Sequence, residues 1–163
     1  MRALPAWAMA SLGAAQRLHA GQVDKGGVPY WTHLHRVALL LLNRWPDAPR
    51  VQVVAALFHD VLEDVKRGEQ HLRAEGVSDE CIAIVRALTR PPDISYQGWI
   101  HRLAHSGDQG VLRIKWADLT DNLNPLRPNY PGRVGKNEGR YEPALVTVES
   151  ALTAETQEVT HGR

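Results

Sequence analysis

The stretch Ala55-Ala56-Leu57-Phe58-His59-Asp60-Val61-Leu62-Glu63-Asp64 constrains the fold of this chain more than any other. Val54, Leu57, Phe58, Val61 and Leu62 recur at the spacing of one helix face, which predicts a helix over residues 51–64. Val51, Val53, Val54, Ala55 and Ala56 make its first half apolar nearly all round, as in a helix enclosed by others. At about 100° per residue, His59, Asp60 and Glu63 fall opposite the apolar face, with Asp64 nearer its boundary. Taken alone, these groups are equally well explained as a solvated face. At the end of an enclosed helix they are better placed to line a cavity, where buried polar groups need partners.

The remainder reads as further helices separated by breaker residues. Residues 6–20 carry Trp7, Ala10, Ala14 and Leu18 at helical spacing and close at Gly21. A loop containing Asp24, Lys25, Gly26 and Gly27 follows, and Pro29 opens a helix over 29–44. There His33 lies in line with Leu34, Val37, Leu40 and Leu41 and points inward, whereas His35 points roughly the other way. Leu39 and Leu42 extend the apolar character to the far side, a hint of further packing or of a homo-oligomer contact. After the Trp45–Pro49 turn and the 51–64 helix come a short connecting helix and loop over 65–78. A helix over 79–89 carries Ile82, Val85, Arg86 and Leu88 and is broken by Arg90-Pro91-Pro92-Asp93. Tyr96, Ile100 and Leu103 mark one more helix. The 109–123 helix has a core stripe of Leu112, Trp116, Leu119 and Leu123. Lys115, Asp118 and Asn122 share its adjacent face and Asp121 points elsewhere. Residues 125–136 form a loop rich in Pro, Gly and Arg, and a closing helix over 137–157 has Tyr141, Leu145, Val148 and Leu152 on one stripe.

The expected fold is therefore all-α, a single domain over 1–163 made of about six to eight helices. Cys81 is the only cysteine, so no intramolecular disulfide forms and a reducing, cytoplasmic setting is expected. Nineteen basic against eighteen acidic residues leave a net charge of +1, with no global field for nucleic acid or an anionic membrane. Any phosphate recognition must be local. No run approaches the roughly 18 apolar residues of a membrane span, and Pro5 and Gly13 interrupt the N-terminal apolar stretch as they would not in a signal peptide.

Four pieces in a fixed order carry a family resemblance: His19-Ala20-Gly21-Gln22 with Lys25; Pro29-Tyr30 with His33, Val37 and Ala38; Ala55 through Asp60 with Glu63 and Asp64; and Ile114-Lys115 with Ala117, Asp118 and Asn122. The chain, from about Ala14 to its last helix, resembles the HD-domain phosphohydrolases, and within them the Rel/SpoT-like alarmone hydrolases of the metazoan SpoT homologue type. Arg140-Tyr141 and Ala144-Leu145 look like the closing helix of small stand-alone bacterial members.

The resemblance implies that His33, His59, Asp60 and Asp118 ligate one divalent metal, usually manganese. Two imidazoles and two carboxylates without thiolate suit that ion or iron, and zinc or nickel could also occupy such a set. It further implies that Glu63 and Asp64 are the catalytic acidic pair, that Lys25 neutralises phosphate, and that Asn122 contacts the nucleoside. The implied substrate is a nucleotide, (p)ppGpp, losing its 3′-pyrophosphate, in an enzyme without a synthetase region. Asp24 and Asn124 depart from the pattern, because these hydrolases usually carry an arginine at each position, the first packing on the purine. An aspartate at position 24 could instead accept from an exocyclic amino group. That makes ppApp an alternative substrate, beside another phosphorylated nucleotide and a catalytically silent nucleotide sensor.

Overall fold

After a 3-10 turn at Ala6–Ala8, the chain forms α1 (Met9–Leu18), α2 (Trp31–Arg44), α3 (Arg50–Phe58), α4 (Val61–Asp64), α5 (Gly68–Ala74), α6 (Asp79–Leu88), α7 (Tyr96–Ala104), α8 (Gln109–Asn122) and α9 (Tyr141–His161). This computed structural model describes residues 3–24, 26–127 and 139–161, with backbone alone beyond residue 154. Among them the strand-like pairing is confined to one isolated bridge, Val23 to Pro29. The all-α expectation is met. None of the described helices is long and apolar enough to cross a membrane.

α8 is the hub. It packs against α2, α3, α6, α7 and α9. Its buried residues run round the helix, from Val111, Leu112 and Ile114 to the polar Lys115, Asp118 and Asp121. Sequence periodicity shows only a stripe here because part of this buried surface is polar and internally paired. Trp116 is half-buried at one edge, its ring meeting Trp45 edge-on at 5.4 Å and its Nε1 donating to Glu149 at 2.8 Å. Leu39 and Leu42 of α2 are buried within the chain itself, so they are not evidence of a contact with another copy.

Three of the helices start where a short polar side chain accepts a backbone N–H: Ser78 from Cys81, Ser95 from Gly98 and Asp108 from Val111. Each such cap contributes on the order of 1 kcal/mol. At the other end of α1, Gly21 takes φ 78°, the left-handed turn that leaves a helix without a Cβ penalty. Cys81 is buried and its thiol is pushed up to about 12 by burial, so it is not a nucleophile at neutral pH.

The single helix expected over 51–64 is divided in two. α3 ends at Phe58 and α4 begins at Val61, with His59 and Asp60 between them. The cause is local. His59 Nδ1 donates to the Ala56 carbonyl at 2.8 Å, taking the acceptor that an uninterrupted helix would offer to the Asp60 N–H. The chain then restarts from the Asp60 carbonyl, which accepts from Glu63 N at 3.1 Å and Asp64 N at 2.9 Å. α5 is pressed onto this junction, since a Cβ on Gly68 would stand 2.5 Å from the Val61 carbonyl oxygen.

Candidate metal centre

α2 brings His33, the α3–α4 junction brings His59 and Asp60, and α8 brings Asp118 to one place. His33 Nε2 lies 3.3 Å from Asp118 Oδ1 and 3.7 Å from Asp60 Oδ2, while His59 Nε2 lies 3.1 Å from Asp60 Oδ2 and 3.7 Å from Asp118 Oδ1. Donors on one cation, each about 2.1 Å from it and at right angles, are separated by about 3 Å. The four histidine–aspartate pairs are near that spacing, and His33, His59 and Asp60 offer ligand atoms within 4.8 Å of one another, with Asp118 reaching both histidines.

Their protonation also fits a cation. His59 commits Nδ1 to a carbonyl, which leaves Nε2, a buried nitrogen without a hydrogen-bond partner, as the atom a cation would take. His33 Nδ1 donates to Asp121 Oδ2 at 2.7 Å, which likewise turns its Nε2 to the centre. Burial is the largest influence on both imidazoles and opposes their charge. In His33, Asp118 and Asp121 outweigh it; in His59, Asp60 and Asp118 do so, and both histidines sit above their ordinary value. Burial likewise opposes ionisation of Asp60 and Asp118, yet His59 beside the first and Lys115 beside the second hold both carboxyls below the usual range. A divalent cation would take the place of the Nε2 protons and meet two ionised carboxylates, so the residues present fit such an ion.

A polar frame holds these groups. Lys115, buried on α8, donates to Asp118 Oδ2 at 2.7 Å, and its ammonium lies 4.5 Å from the centre of the Trp99 ring. Asn122 Nδ2 donates to Asp118 Oδ1 at 2.6 Å, and Tyr30 OH to Asp60 Oδ2 at 2.6 Å. Asp121, 1 % exposed, accepts from His33, from Arg36 Nε at 2.7 Å and Nη2 at 3.2 Å, and pairs with Arg127 Nη1 at 2.9 Å.

Beside the four donors is a polar cavity of about 220 Å³, bordered by Glu63, Arg90, Lys115, Asn122 and Arg140. A larger cavity of about 430 Å³, between α1, α3 and the turn at Glu75–Ser78, holds none of the expected site residues. Glu63 reaches the polar cavity and accepts the Arg90 N–H at 2.7 Å. Asp64 does not line it; it borders a separate hollow with Gln22, Val23 and Tyr30. Partial burial, then the charge of Asp60, hold Asp64 above its ordinary value.

Asn122 is in the site, but as a partner of Asp118 and Arg127. Lys25 lies outside the described residues. Asp24 is placed otherwise than expected for a group reading a base. Its Oδ1 accepts from Gly26 N and Val28 N and its Oδ2 from Arg127 Nη2, so the carboxylate is consumed inside the protein.

Asp121, Arg127 and Tyr30 were not singled out as site residues from the sequence. Asp121 had a legible signal: three residues advance a helix by about 300°, leaving it only about 60° from Asp118. Arg127 had none, because its partners are a loop residue 103 positions away and the end of α8.

A family model described as "HD domain" matches residues 11–134. Guanosine-3′,5′-bis(diphosphate) 3′-pyrophosphohydrolase of Haemophilus influenzae is 33% identical over 135 residues, covering 75% of this chain and 19% of that protein. GTP pyrophosphokinase of Streptomyces coelicolor is 32% identical over 120 residues, covering 69% of this chain and 14% of that protein. The chain thus spans less than a fifth of the length of these curated relatives. A solved structure described under the words "a metazoan ortholog of SpoT hydrolyzes ppGpp" shares the fold, with a TM-score of 0.69, 24% identity, and coverage of 93% of this chain and 88% of that one. With the family model matched across most of its length, and two histidines and two aspartates brought together as a cation site, this chain belongs to the HD-domain family.

Proposed function

We propose that this chain is a metal-dependent pyrophosphohydrolase that removes the 3′-pyrophosphate of guanosine alarmones such as (p)ppGpp, and that it works in the cytoplasm. The observation that carries the reading is Glu63 at the mouth of the four-donor centre, in a polar cavity that also presents Arg90, Lys115 and Arg140. The similarity to proteins named as guanosine-3′,5′-bis(diphosphate) 3′-pyrophosphohydrolases supports the substrate.

His33, His59, Asp60 and Asp118 would hold one divalent ion, and a nitrogen and oxygen donor set without thiolate suits manganese. When bound, that ion supplies Lewis acidity toward a phosphoryl oxygen and toward water. Glu63 accepts a proton from the attacking water, whose oxygen bonds to the phosphorus attached to the ribose 3′ oxygen. The bond from that phosphorus to the 3′ oxygen breaks, pyrophosphate leaves, and the 3′ oxygen ends as a hydroxyl. Lys115 keeps Asp118 ionised, while Arg90 and Arg140 offset phosphate charge, a role the family resemblance also gives to Lys25. Asp64, held toward its protonated form, supports the Tyr30 side of the site.

Position 24 bears no arginine to stack on guanine, and the inward turn of Asp24 also removes it as a reader of exocyclic amino groups. Adenosine alarmones are therefore the comparison substrate. The test is pyrophosphate release from ppGpp and from ppApp by purified protein with added manganese, alongside His59→Ala and Glu63→Ala. Release that needs both residues is expected. Absence of release from either substrate, with the ion shown to be bound, would move the chain to another phosphorylated nucleotide or to a sensing role.

A further inference from the structure

The loop between α1 and α2 is tied to the metal centre by a buried ion pair outside the ligand set. Asp24 folds the loop round its own carboxylate. Oδ1 accepts from Gly26 N at 2.8 Å and Val28 N at 3.0 Å, and Gly27 takes φ 76° to complete the turn. Oδ2 accepts from Arg127 Nη2 at 3.0 Å, with the Asp24 and Arg127 side chains only 7% and 5% exposed. The same guanidinium reaches the back of two metal ligands. Its Nη1 lies 2.9 Å from Asp121 Oδ2, the oxygen that takes the His33 Nδ1 proton, and 3.2 Å from Asn122 Oδ1, whose amide donates to Asp118. At its exit the loop runs into Tyr30, which donates to Asp60.

We propose that Asp24 and Arg127 are positioning residues that clamp the 21–28 loop to the back of the metal centre, so that order in the loop and affinity for the ion depend on each other. The proposal rests on the metal-centre reading above. A buried guanidinium must be balanced. With Asp24 neutralised, Asp121 is the remaining acidic partner of Arg127, which then draws on the carboxylate that accepts from His33. Conversely, a cation that fixes His33 and Asp118 stiffens Asp121 and Asn122, hence Arg127, hence the Asp24 turn. Such coupling is reciprocal.

Amide hydrogen exchange of the segment 21–30, followed by mass spectrometry, and calorimetric titration with Mn2+ test the clamp together. In the wild type, saturating Mn2+ is expected to slow exchange in this segment about fivefold or more. Asp24→Asn keeps the shape and removes the charge. It should weaken Mn2+ binding about 3- to 10-fold, less than the 10- to 100-fold loss on removing a group that bonds a ligand directly, and should erase the metal-induced slowing. Arg127→Met should behave alike, and the double variant should be no weaker than the weaker single one. Metal binding by the wild type with unchanged loop exchange, or Asp24→Asn binding Mn2+ within twofold of wild type, would overturn the clamp while leaving the metal centre standing. A wild type that takes up no divalent ion would overturn both. The wild-type arm stands even where Arg127→Met does not fold.

Discussion

Replacing Asp121 by asparagine separates the ligands from what holds them. The carboxylate receives His33 Nδ1 and Arg36 Nε, each at 2.7 Å, a longer bond from Arg36 Nη2 at 3.2 Å, and the Arg127 guanidinium at 2.9 Å. Breaking a buried ion pair by removing one partner costs about 3–5 kcal/mol. Arg36 is 31% exposed and would turn to water, so its share is small. Arg127 would stay buried with Asp24 as its remaining acidic partner, which leaves a net loss of about 2–3 kcal/mol for the metal-free protein. The asparagine oxygen would still accept the His33 proton, so the tautomer survives while the imidazole becomes a poorer donor. Loss of such a partner lowers metal affinity about 10- to 100-fold, or about 1.4–2.7 kcal/mol. Urea unfolding of the metal-free protein gives the first number and calorimetric titration with Mn2+ the second. Stability within about 0.5 kcal/mol of wild type together with Mn2+ affinity within twofold would refute the assignment of Asp121 as the group that holds His33.

Three other outcomes follow from the geometry. Glu63→Gln should leave Mn2+ affinity within about threefold and lower kcat for pyrophosphate release by about 10²- to 10⁴-fold, since it removes a proton acceptor and no ligand; an equal fall in affinity would make Glu63 a ligand instead. Because His33 and His59 are raised above their ordinary value in the metal-free protein, their stabilising effect is complete below about pH 6.5 and is lost as pH rises through their folded values. The Tm of chelated protein should accordingly fall between pH 6 and pH 9, and Mn2+ binding at neutral pH should release protons, seen as a buffer-dependent heat. Gly68→Ala places a Cβ 2.5 Å from the Val61 carbonyl oxygen, which should cost about 1–3 kcal/mol in urea unfolding and reduce turnover more than Mn2+ affinity, because α4 carries Glu63.

The helices, and the inward direction of the residues proposed as ligands, were legible because both rest on helical spacing, whereas the ligand role itself came from the family resemblance. His33 in line with Leu34, Val37 and Leu41 had to face inward, and the buried polar Asp118 follows from its place beside the α8 stripe. What escaped depends on pairing across the chain. Periodicity over 51–64 is continuous, yet the helix is interrupted at His59–Asp60, where a histidine side chain bonds the Ala56 carbonyl, a contact no apolar pattern records. The same holds for Asp24, whose carboxylate looks available in sequence and is consumed by Arg127 in the fold.

The break at His59–Asp60 has a mechanical consequence. On an unbroken helix two adjacent side chains diverge by about 100°, so neighbours could not both aim at one ion without bending the rod. Here the rod is cut, and the four-residue piece beyond the cut, Val61–Asp64, carries Glu63. His59 and Glu63 thus lie on opposite sides of Asp60, which is fixed by its carboxylate to Tyr30 and by its carbonyl to Glu63 N and Asp64 N. A cation drawing on the Asp60 carboxylate would therefore act on the residue whose carbonyl holds the Glu63 and Asp64 amides, so that ion binding and the placement of Glu63 share one backbone anchor.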